Sequence, residues 1–333
     1  MGKRFTVIGD GAMGTATAVL LTQRPEFDVT VWCQFAENAD AMTRDRENRR
    51  FLPGVPLGNR VKATGDFQQC RDADAFIVAV PMVYLSKTLE RLSTEWPKRD
   101  SPIPVVSVIK GIEQETFRRA SEIISTHLAG SEVIAFSGPM HAEELAVGMY
   151  ASIVAASPNL ALAEEVQQWF SSDRLRVYTS TDLIGTELGG ALKNVIAIAA
   201  GICDGANYGD NAKSALMTRG LVEMTRLGVA LGAKPETFYG LAGLGDLITT
   251  SVSPHGRNRR VGERLGKGEK MSAILASMVQ VAEGVWTAKS VHELSKKLKL
   301  DMPVTTEIYQ ILFQDQDIEQ AVHDLMHRPL SAE

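Results

Sequence analysis

The chain has 333 residues, a hydrophobic share of 44% and a net charge of −5 at pH 7. A chain of this length can bury one large core, but two domains are the prediction. The acidic balance argues against a broad basic surface, so we expect no nucleic-acid partner. The N-terminus lacks a signal-peptide pattern and no apolar run approaches the length of a bilayer span, which predicts a cytoplasmic protein without membrane insertion.

The cysteines and histidines predict no metal site. The three cysteines are far apart and lack CxxC spacing, which is not typical of a disulfide framework or a zinc site. His141 and His255 fall in loops without partners at metal spacing. The other four histidines are expected on the surface: His127, His292, His323 and His327.

A glycine-rich turn follows the first predicted strand. Arg4–Ile8 is an apolar run typical of a buried strand, and Gly9, Gly11 and Gly14 then give the spacing G-x-G-x-x-G before a helical stretch. In such a turn the first glycine permits the bend, the second lets a pyrophosphate approach, and the third lets helix and strand pack closely. We therefore predict a dinucleotide at the start of this helix.

The second predicted strand, residues 29–32, leaves the choice of cofactor open. It ends at Cys33 and Gln34, where an acid usually accepts a hydrogen bond from the ribose 2′-hydroxyl of NAD and excludes NADP. Asp28 precedes the strand and Glu37 follows late. The cofactor is therefore NAD or NADP.

Further strands are predicted at residues 75–80, 105–109, 133–136, 151–156 and 175–178, with a helix at 160–170. Lys110 and the pair Gly138-Pro139 follow strands directly, where ligands bind in parallel sheets. Lys110 as an ordinary exposed loop residue is the alternative. We predict an α/β, Rossmann-like dinucleotide-binding domain over residues 1–181 and an all-helical substrate-binding and catalytic domain over residues 182–333.

Residues 183–200 predict a buried helix that carries one lysine. Asp182 can cap its start, and Gly201 stands near its end. The helical neighbours of Lys193 are Gly189, Gly190 and Ala197, so a backbone or a ligand is expected close by. Lys193 then either forms a buried ion pair in a tight helix contact or transfers a proton.

Two loops interrupt the helices predicted at residues 211–231, 262–265, 271–280, 285–298 and 304–313. Asp246 follows the turn Gly243-Leu244-Gly245, and a helix cap is its alternative role. Arg257, Arg259 and Arg260 follow Pro254-His255-Gly256 at an expected helix start, where cations are unfavourable unless an anion binds. Arg257, with Asn258 beside it, is the expected phosphate ligand; a solvated basic turn is the alternative.

Six motifs in this order resemble the bacterial type of NAD(P)-dependent glycerol-3-phosphate dehydrogenase over nearly the whole chain: residues 9–14, 110–111, 138–139, 187–194, 243–247 and 256–259. The resemblance implies reversible reduction of dihydroxyacetone phosphate to sn-glycerol 3-phosphate for phospholipid synthesis, by a homodimer. It implies Lys193 as the proton donor or acceptor. The implied substrate-binding residues are Lys110, Gly138, Asp246, Arg257 and Asn258. The implied cofactor-binding residues are Gly9, Gly11, Ala12, Met13, Gly14, Gln34, Lys110, Ala142, Arg257 and Glu283.

The sequence departs from the family at three positions. Met140 stands where relatives usually carry Ser or Thr, Met13 replaces a frequent aromatic residue, and Asp10 brings a negative charge beside the pyrophosphate path. A β-hydroxyacid or 6-phosphogluconate type dehydrogenase, which acts on carboxylates, is the nearest alternative. A cofactor-binding sensor without catalysis is another.

Overall fold

The structure, a computed structural model, describes residues 2–278 and 280–330. It divides into two compact units. The sheet unit comprises the residues up to Lys110 together with Arg118–Glu187. The helical unit comprises Gly111–Phe117 and the residues from Leu188 onward.

The sheet unit is built on one large sheet with the strand order β10-β9-β8-β7-β6-β1-β2-β5. Neighbouring strands are parallel except β8 and β9, which are antiparallel, and β3 and β4 form a separate antiparallel pair. The strands are β1 (Arg4–Ile8), β2 (Asp28–Trp32), β3 (Glu47–Asn48), β4 (Leu52–Pro56), β5 (Val61–Thr64), β6 (Ala75–Val78), β7 (Ile103–Ser107), β8 (Ser131–Ser137), β9 (Ala151–Ala156) and β10 (Leu175–Ser180).

Successive side chains of a strand point to opposite faces of the sheet, and in the central strands apolar residues occupy both faces. Both faces of the sheet are therefore buried. Phe5 and Val31 point to one face and Ile8 and Trp32 to the other. The helices of this unit are α1 (Ala12–Leu21), α2 (Ala36–Asp45), α3 (Met82–Ser93), α4 (Ala120–His127), α5 (Ala142–Ala146) and α6 (Leu160–Phe170). Side chains from α1, α2 and α6 cover the first face, and those from α3 and α4 cover the second.

After β10, the described residues contain helices and no strand, as predicted. The helices of the helical unit are α7 (Leu183–Gly205, which begins in the sheet unit), α8 (Gly209–Ala230), α9 (Pro235–Tyr239), α10 (Asp246–Val252), α11 (Arg257–Gly266), α12 (Met271–Ala276), α13 (Glu283–Leu298), α14 (Pro303–Phe313) and α15 (Ile318–Met326). A π-helical turn, Leu241–Gly245, precedes α10. The α/β fold with a helical second part is confirmed.

Helix α7 is longer than predicted. The Asp182 carboxylate accepts a hydrogen bond from Gly185 N at 2.9 Å, which confirms the predicted cap. Gly201 does not end the helix, because α7 continues to Gly205. At this length α7 is long and apolar enough to cross a membrane, whereas the sequence analysis predicted no run of that length. However, 89% of its most apolar 18-residue stretch is buried inside the protein, as is typical of a core helix.

Gly201 instead belongs to a close helix contact. A Cβ at Gly201 would lie 2.0 Å from the carbonyl oxygen of Arg259 on α11. On α11, a Cβ at Gly262 would lie 1.9 Å from the carbonyl oxygen of Ile198 on α7. Because only glycine permits this backbone approach, the pair fixes the start of α11 relative to α7.

His292 is not on the surface, contrary to the expectation from sequence. It is 3% exposed and stacks on the ring of Tyr309, with ring centres 4.0 Å apart. Burial lowers the pKa of His292 to about 4, with a further contribution from the charge of Lys296. The stack joins α13 to α14 through a neutral imidazole.

Candidate active site

The glycine turn in the sheet unit has the geometry that its spacing predicts. Gly9 has φ of 113° and donates a hydrogen bond to the carbonyl oxygen of Trp32 at 3.1 Å, so the turn is tied to the end of β2. A Cβ at Gly14 would lie 2.1 Å from the carbonyl oxygen of Gly9. Gly14 therefore lets α1 start directly against β1.

The start of α1 fits a dinucleotide phosphate. Gly11 is the N-cap, and a Cβ there would meet no atom within 4 Å among the residues that the structure describes. Among the described residues, no side chain caps the N-terminus of α1. The start of α1 therefore combines helix amides that no side chain caps with open space at Gly11, as an anion at a helix N-terminus requires.

Lys110 and Gly138 lie together, as predicted for residues that follow neighbouring strands. The Lys110 ammonium donates a hydrogen bond to the carbonyl oxygen of Gly138 at 2.9 Å. Gly138 has φ of 138°, and a Cβ there would lie 3.0 Å from Ile153 Cα. Met140, where the resemblance leads us to expect a hydroxyl, packs into the apolar core of the sheet unit. Ala142 is buried at the first position of α5.

In the helical unit, Lys193 is 5% exposed and forms an ion pair with Asp246, with Nζ and Oδ1 3.1 Å apart. The ion pair expected as the alternative role of Lys193 is therefore present. Lys193 also donates a hydrogen bond to the hydroxyl of Thr250. Asp246 is 2% exposed and is the first residue of α10. It therefore pairs with Lys193 from the first turn of that helix.

Gly189, one turn before Lys193, allows the backbone of the π-helical turn to approach. A Cβ at Gly189 would lie 2.5 Å from the carbonyl oxygen of Ala242. The close neighbour that the sequence predicted beside Lys193 is therefore the backbone of the π-helical turn. This contact brings the beginning of α10 against α7. This contact sets the distance at which Asp246 meets Lys193.

The N-termini of α11 and α13 meet next to α7. Asn258 is 7% exposed, and its Oδ1 accepts a hydrogen bond from Gly284 N at 3.0 Å. A Cβ at Gly284 would lie 2.6 Å from the carbonyl oxygen of Asn194. Glu283, a predicted cofactor-binding residue, is the first residue of α13 and directly precedes Gly284. It is therefore next in the chain to the glycine that contacts Asn194, the residue after Lys193. Two helix N-termini in contact form a positive environment for an anion.

The arginines of α11 have different partners. Arg257 is exposed at the first position of the helix and donates to the carbonyl oxygen of Val281 at 3.1 Å. Arg259 pairs with Asp204 at 2.7 Å and with Glu263 at 3.3 Å, and Arg260 is exposed. Arg259 is therefore held by two carboxylates, whereas Arg257, the phosphate ligand that the sequence favoured, keeps an exposed side chain.

The sequence assigned no role to Thr250 and Gly284. Thr250 lies four residues after Asp246, a spacing that places two side chains on one face of a helix, so its contact with Lys193 was accessible from the pattern. Gly284 gave no local signal, because its role depends on Asn194 and Asn258 from other helices.

Two family models match this chain. The one described as the N-terminus of NAD-dependent glycerol-3-phosphate dehydrogenase matches residues 4–163, and the one described as its C-terminus matches residues 182–323. Similar proteins named glycerol-3-phosphate dehydrogenase [NAD(P)+] include one from Chlorobium limicola, 45% identical over 97% of this chain and 97% of the relative. One from Bacillus subtilis is 44% identical over 98% of this chain and 94% of the relative.

A crystal structure described as glycerol-3-phosphate dehydrogenase from Coxiella burnetii has the same fold. It superposes with a TM-score of 0.93 at 33% sequence identity and covers 98% of this chain and 99% of its own.

Proposed function

The chain belongs to the family of NAD-dependent glycerol-3-phosphate dehydrogenases, and we propose that it reduces dihydroxyacetone phosphate reversibly to sn-glycerol 3-phosphate with NAD or NADP as cofactor. It is an oxidoreductase that acts on the CH–OH group of its substrate. The product is a precursor of glycerophospholipids, which assigns the enzyme to lipid biosynthesis.

The observation that carries this proposal is the buried pair of Lys193 and Asp246. When bound, the cofactor supplies a hydride to the carbonyl carbon. Lys193, as an ammonium, donates a proton to the oxygen at which negative charge develops, and as an amine it accepts that proton in the reverse direction. Asp246 and Thr250 hold Nζ in place, since both contact it directly.

The proposed cofactor-binding residues of the sheet unit are Gly9, Gly11, Ala12, Met13, Gly14, Gln34, Lys110 and Ala142, and those of the helical unit are Arg257 and Glu283. The open space at Gly11 and the uncapped start of α1 support this part of the proposal, within the described residues. Gln34 is exposed directly after β2.

The proposed substrate-binding residues are Lys110 and Gly138 of the sheet unit and Asp246, Arg257 and Asn258 of the helical unit. Lys110 and Asp246 are assigned to the polar end of the substrate, and Arg257 and Asn258 to its phosphate. The exposed guanidinium of Arg257 and the two adjoining helix N-termini support a phosphate there. Binding energy from a remote phosphate orients the reacting carbon and so lowers the barrier.

We further propose a cytoplasmic homodimer. Light scattering on the purified chain tests the dimer, which requires twice the mass of the 36.2 kDa chain. A monomeric mass across the concentrations used for activity contradicts it.

Steady-state kinetics with dihydroxyacetone phosphate, alongside β-hydroxyacids and 6-phosphogluconate, tests the activity. NADH and NADPH are compared for reduction, NAD and NADP for oxidation. We expect kcat/KM for dihydroxyacetone phosphate and sn-glycerol 3-phosphate to exceed that for every carboxylate substrate by a factor of about 10² or more. A preference for a carboxylate substrate contradicts the proposal, and binding of a cofactor without turnover of any substrate favours the sensor alternative.

A further inference from the structure

The carboxyl end of β2 lacks the acid by which many dinucleotide enzymes select their cofactor. Such an acid accepts a hydrogen bond from the 2′-hydroxyl of the adenosine ribose in NAD, and the 2′-phosphate of NADP is excluded by its charge. Here Cys33 and Gln34 follow β2, with Cys33 fully buried and Gln34 exposed. At the carboxyl end of the strand, therefore, neither Cys33 nor Gln34 carries the charge that would distinguish the two cofactors.

The structure brings a carboxylate to this position from the neighbouring strand. β1 and β2 pair in parallel with Ile8 opposite Trp32, and Gly9 N donates to the carbonyl oxygen of Trp32 at 3.1 Å. Asp10, the next residue, therefore lies beside the end of β2. Burial, and next the charge of the Asp10 carboxylate, raise the pKa of the Cys33 thiol, the residue that follows β2.

A hydrogen bond holds the carboxylate toward α2, the helix that follows β2. Asn38 Nδ2 donates to Asp10 Oδ2 at 3.0 Å, and Asn38 is the third residue of α2. The turn is fixed from the other side by Asn48, whose Nδ2 donates to the carbonyl oxygen of Asp10 at 2.6 Å. Asp10 is thus held by both its side chain and its backbone, in the turn expected to bind the pyrophosphate.

The charge at this position is buried but remains close to a cation. Asp10 is 8% exposed, and burial raises the pKa of its carboxyl, while its own backbone amide, Asn38 and the charge of Arg50 lower it. Arg50 is exposed and donates to Asn38 Oδ1 at 3.4 Å, so carboxylate, amide and guanidinium form a row. In a partly desolvated site, a carboxylate repels a second anion more strongly than it would in water.

We propose that Asp10 takes the place of the acid missing from β2 and makes this chain select NAD(H) over NADP(H), whose 2′-phosphate it repels. The alternative reading assigns the 2′-phosphate to Arg50 and predicts the opposite preference. The proposal rests on the proposed dehydrogenase function, because it concerns the cofactor of that reaction.

Binding of NADH and NADPH to the full chain without substrate, followed by nicotinamide fluorescence and by calorimetry, tests the proposal. We expect the wild type to bind NADH about tenfold more tightly than NADPH or better. Asp10→Asn keeps the shape of the side chain and removes its charge, so it should raise the affinity for NADPH about fivefold or more and change that for NADH by less than about threefold. Asp10→Ser, which is smaller, should shift the ratio in the same direction.

Asp40→Asn is the matched control, because it removes a charge from the exposed surface of the same helix α2. It should leave the ratio of the two affinities unchanged. A wild type that binds NADPH as tightly as NADH overturns the proposal, even if the Asp10 variants do not fold. So does an unchanged ratio in a folded Asp10→Asn, or a tenfold loss of NADPH affinity confined to Arg50→Gln. If the wild type binds neither cofactor, the proposed dehydrogenase function itself fails.

Discussion

The glycine turn of the sheet unit presents backbone, whereas the lysine of the helical unit presents a charged side chain. At residues 9–14 the geometry is set by what is missing, since a Cβ at Gly14 would collide with the Gly9 carbonyl and one at Gly11 would enter open space. At Lys193 it is set by what is present, a buried carboxylate and a hydroxyl in contact with Nζ. The folding stability of the glycine turn should therefore depend more on the volume of its side chains than on their charge, and that of the Lys193 site should depend more on charge.

Lys193→Ala should have the largest effect on turnover. We expect kcat to fall by a factor of about 10²–10⁴, because the variant has no group to donate the proton, while NAD(H) binding at the glycine turn changes little. Cofactor titration and single-turnover kinetics on a variant shown to be folded by circular dichroism check this. Lys267→Ala, which removes a lysine paired with Glu263 on the surface, is the control and should keep wild-type turnover. Unchanged kcat in Lys193→Ala would refute the role of the lysine.

Asp246→Asn should destabilise the protein by about 3 kcal/mol, because it leaves the Lys193 ammonium buried without its charged partner. Urea unfolding measures the free energy of unfolding. The double variant Lys193→Met with Asp246→Leu removes both charges, so it should recover most of the stability while remaining inactive. If the free energy of unfolding of Asp246→Asn lies within about 0.5 kcal/mol of the wild-type value, water screens the ion pair. The stability of the Lys193 site would then not depend on charge, and its contrast with the glycine turn would be lost.

The stability of the helical unit should also depend on pH through His292. Its pKa is about 4 in the folded protein and 6.5 ordinarily, so the unfolded state takes up a proton first as the pH falls. The stabilisation is complete above pH 6.5 and is lost progressively down to pH 4. Between pH 7 and pH 5 the loss should be about 2 kcal/mol, since one pKa unit corresponds to about 1.4 kcal/mol.

Urea unfolding at several pH values checks this prediction. His292→Phe, which retains a ring against Tyr309, should lose this component of the pH dependence. His327→Gln on the exposed surface should retain it. Parallel pH curves for wild type and His292→Phe would contradict the assignment.

Local patterns predicted what local interactions determine. The bounds of β1, the glycine turn and a buried ion pair at Lys193 followed from spacing and from the chemistry of a buried charge. What depends on distant segments was not predicted: the assignment of Gly111–Phe117 to the helical unit, the burial of His292 against α14, and the contact of Asp10 with Asn38. A side chain's neighbours across strands or helices leave no periodic signal in its own segment.

The smallest predicted effect on stability separates cofactor binding from helix packing at the glycine turn. Gly11 has φ of −64°, which any residue adopts, and a Cβ there finds no described atom within 4 Å. Gly11→Ala should therefore fold with a free energy of unfolding within about 0.5 kcal/mol of the wild type. Its methyl group would occupy the space that a pyrophosphate needs, so we expect the Kd for NAD(H) to rise about tenfold.

Gly14→Ala is the matched comparison, because its Cβ meets the backbone of Gly9 instead of open space. It should lower the midpoint of thermal unfolding and impair cofactor binding together, whereas Gly11→Ala separates the two. Calorimetry on both variants, with and without NADH, makes the distinction. If Gly11→Ala binds NADH like the wild type, the pyrophosphate does not approach this turn, and backbone geometry at residues 9–14 serves only the packing of α1 on β1.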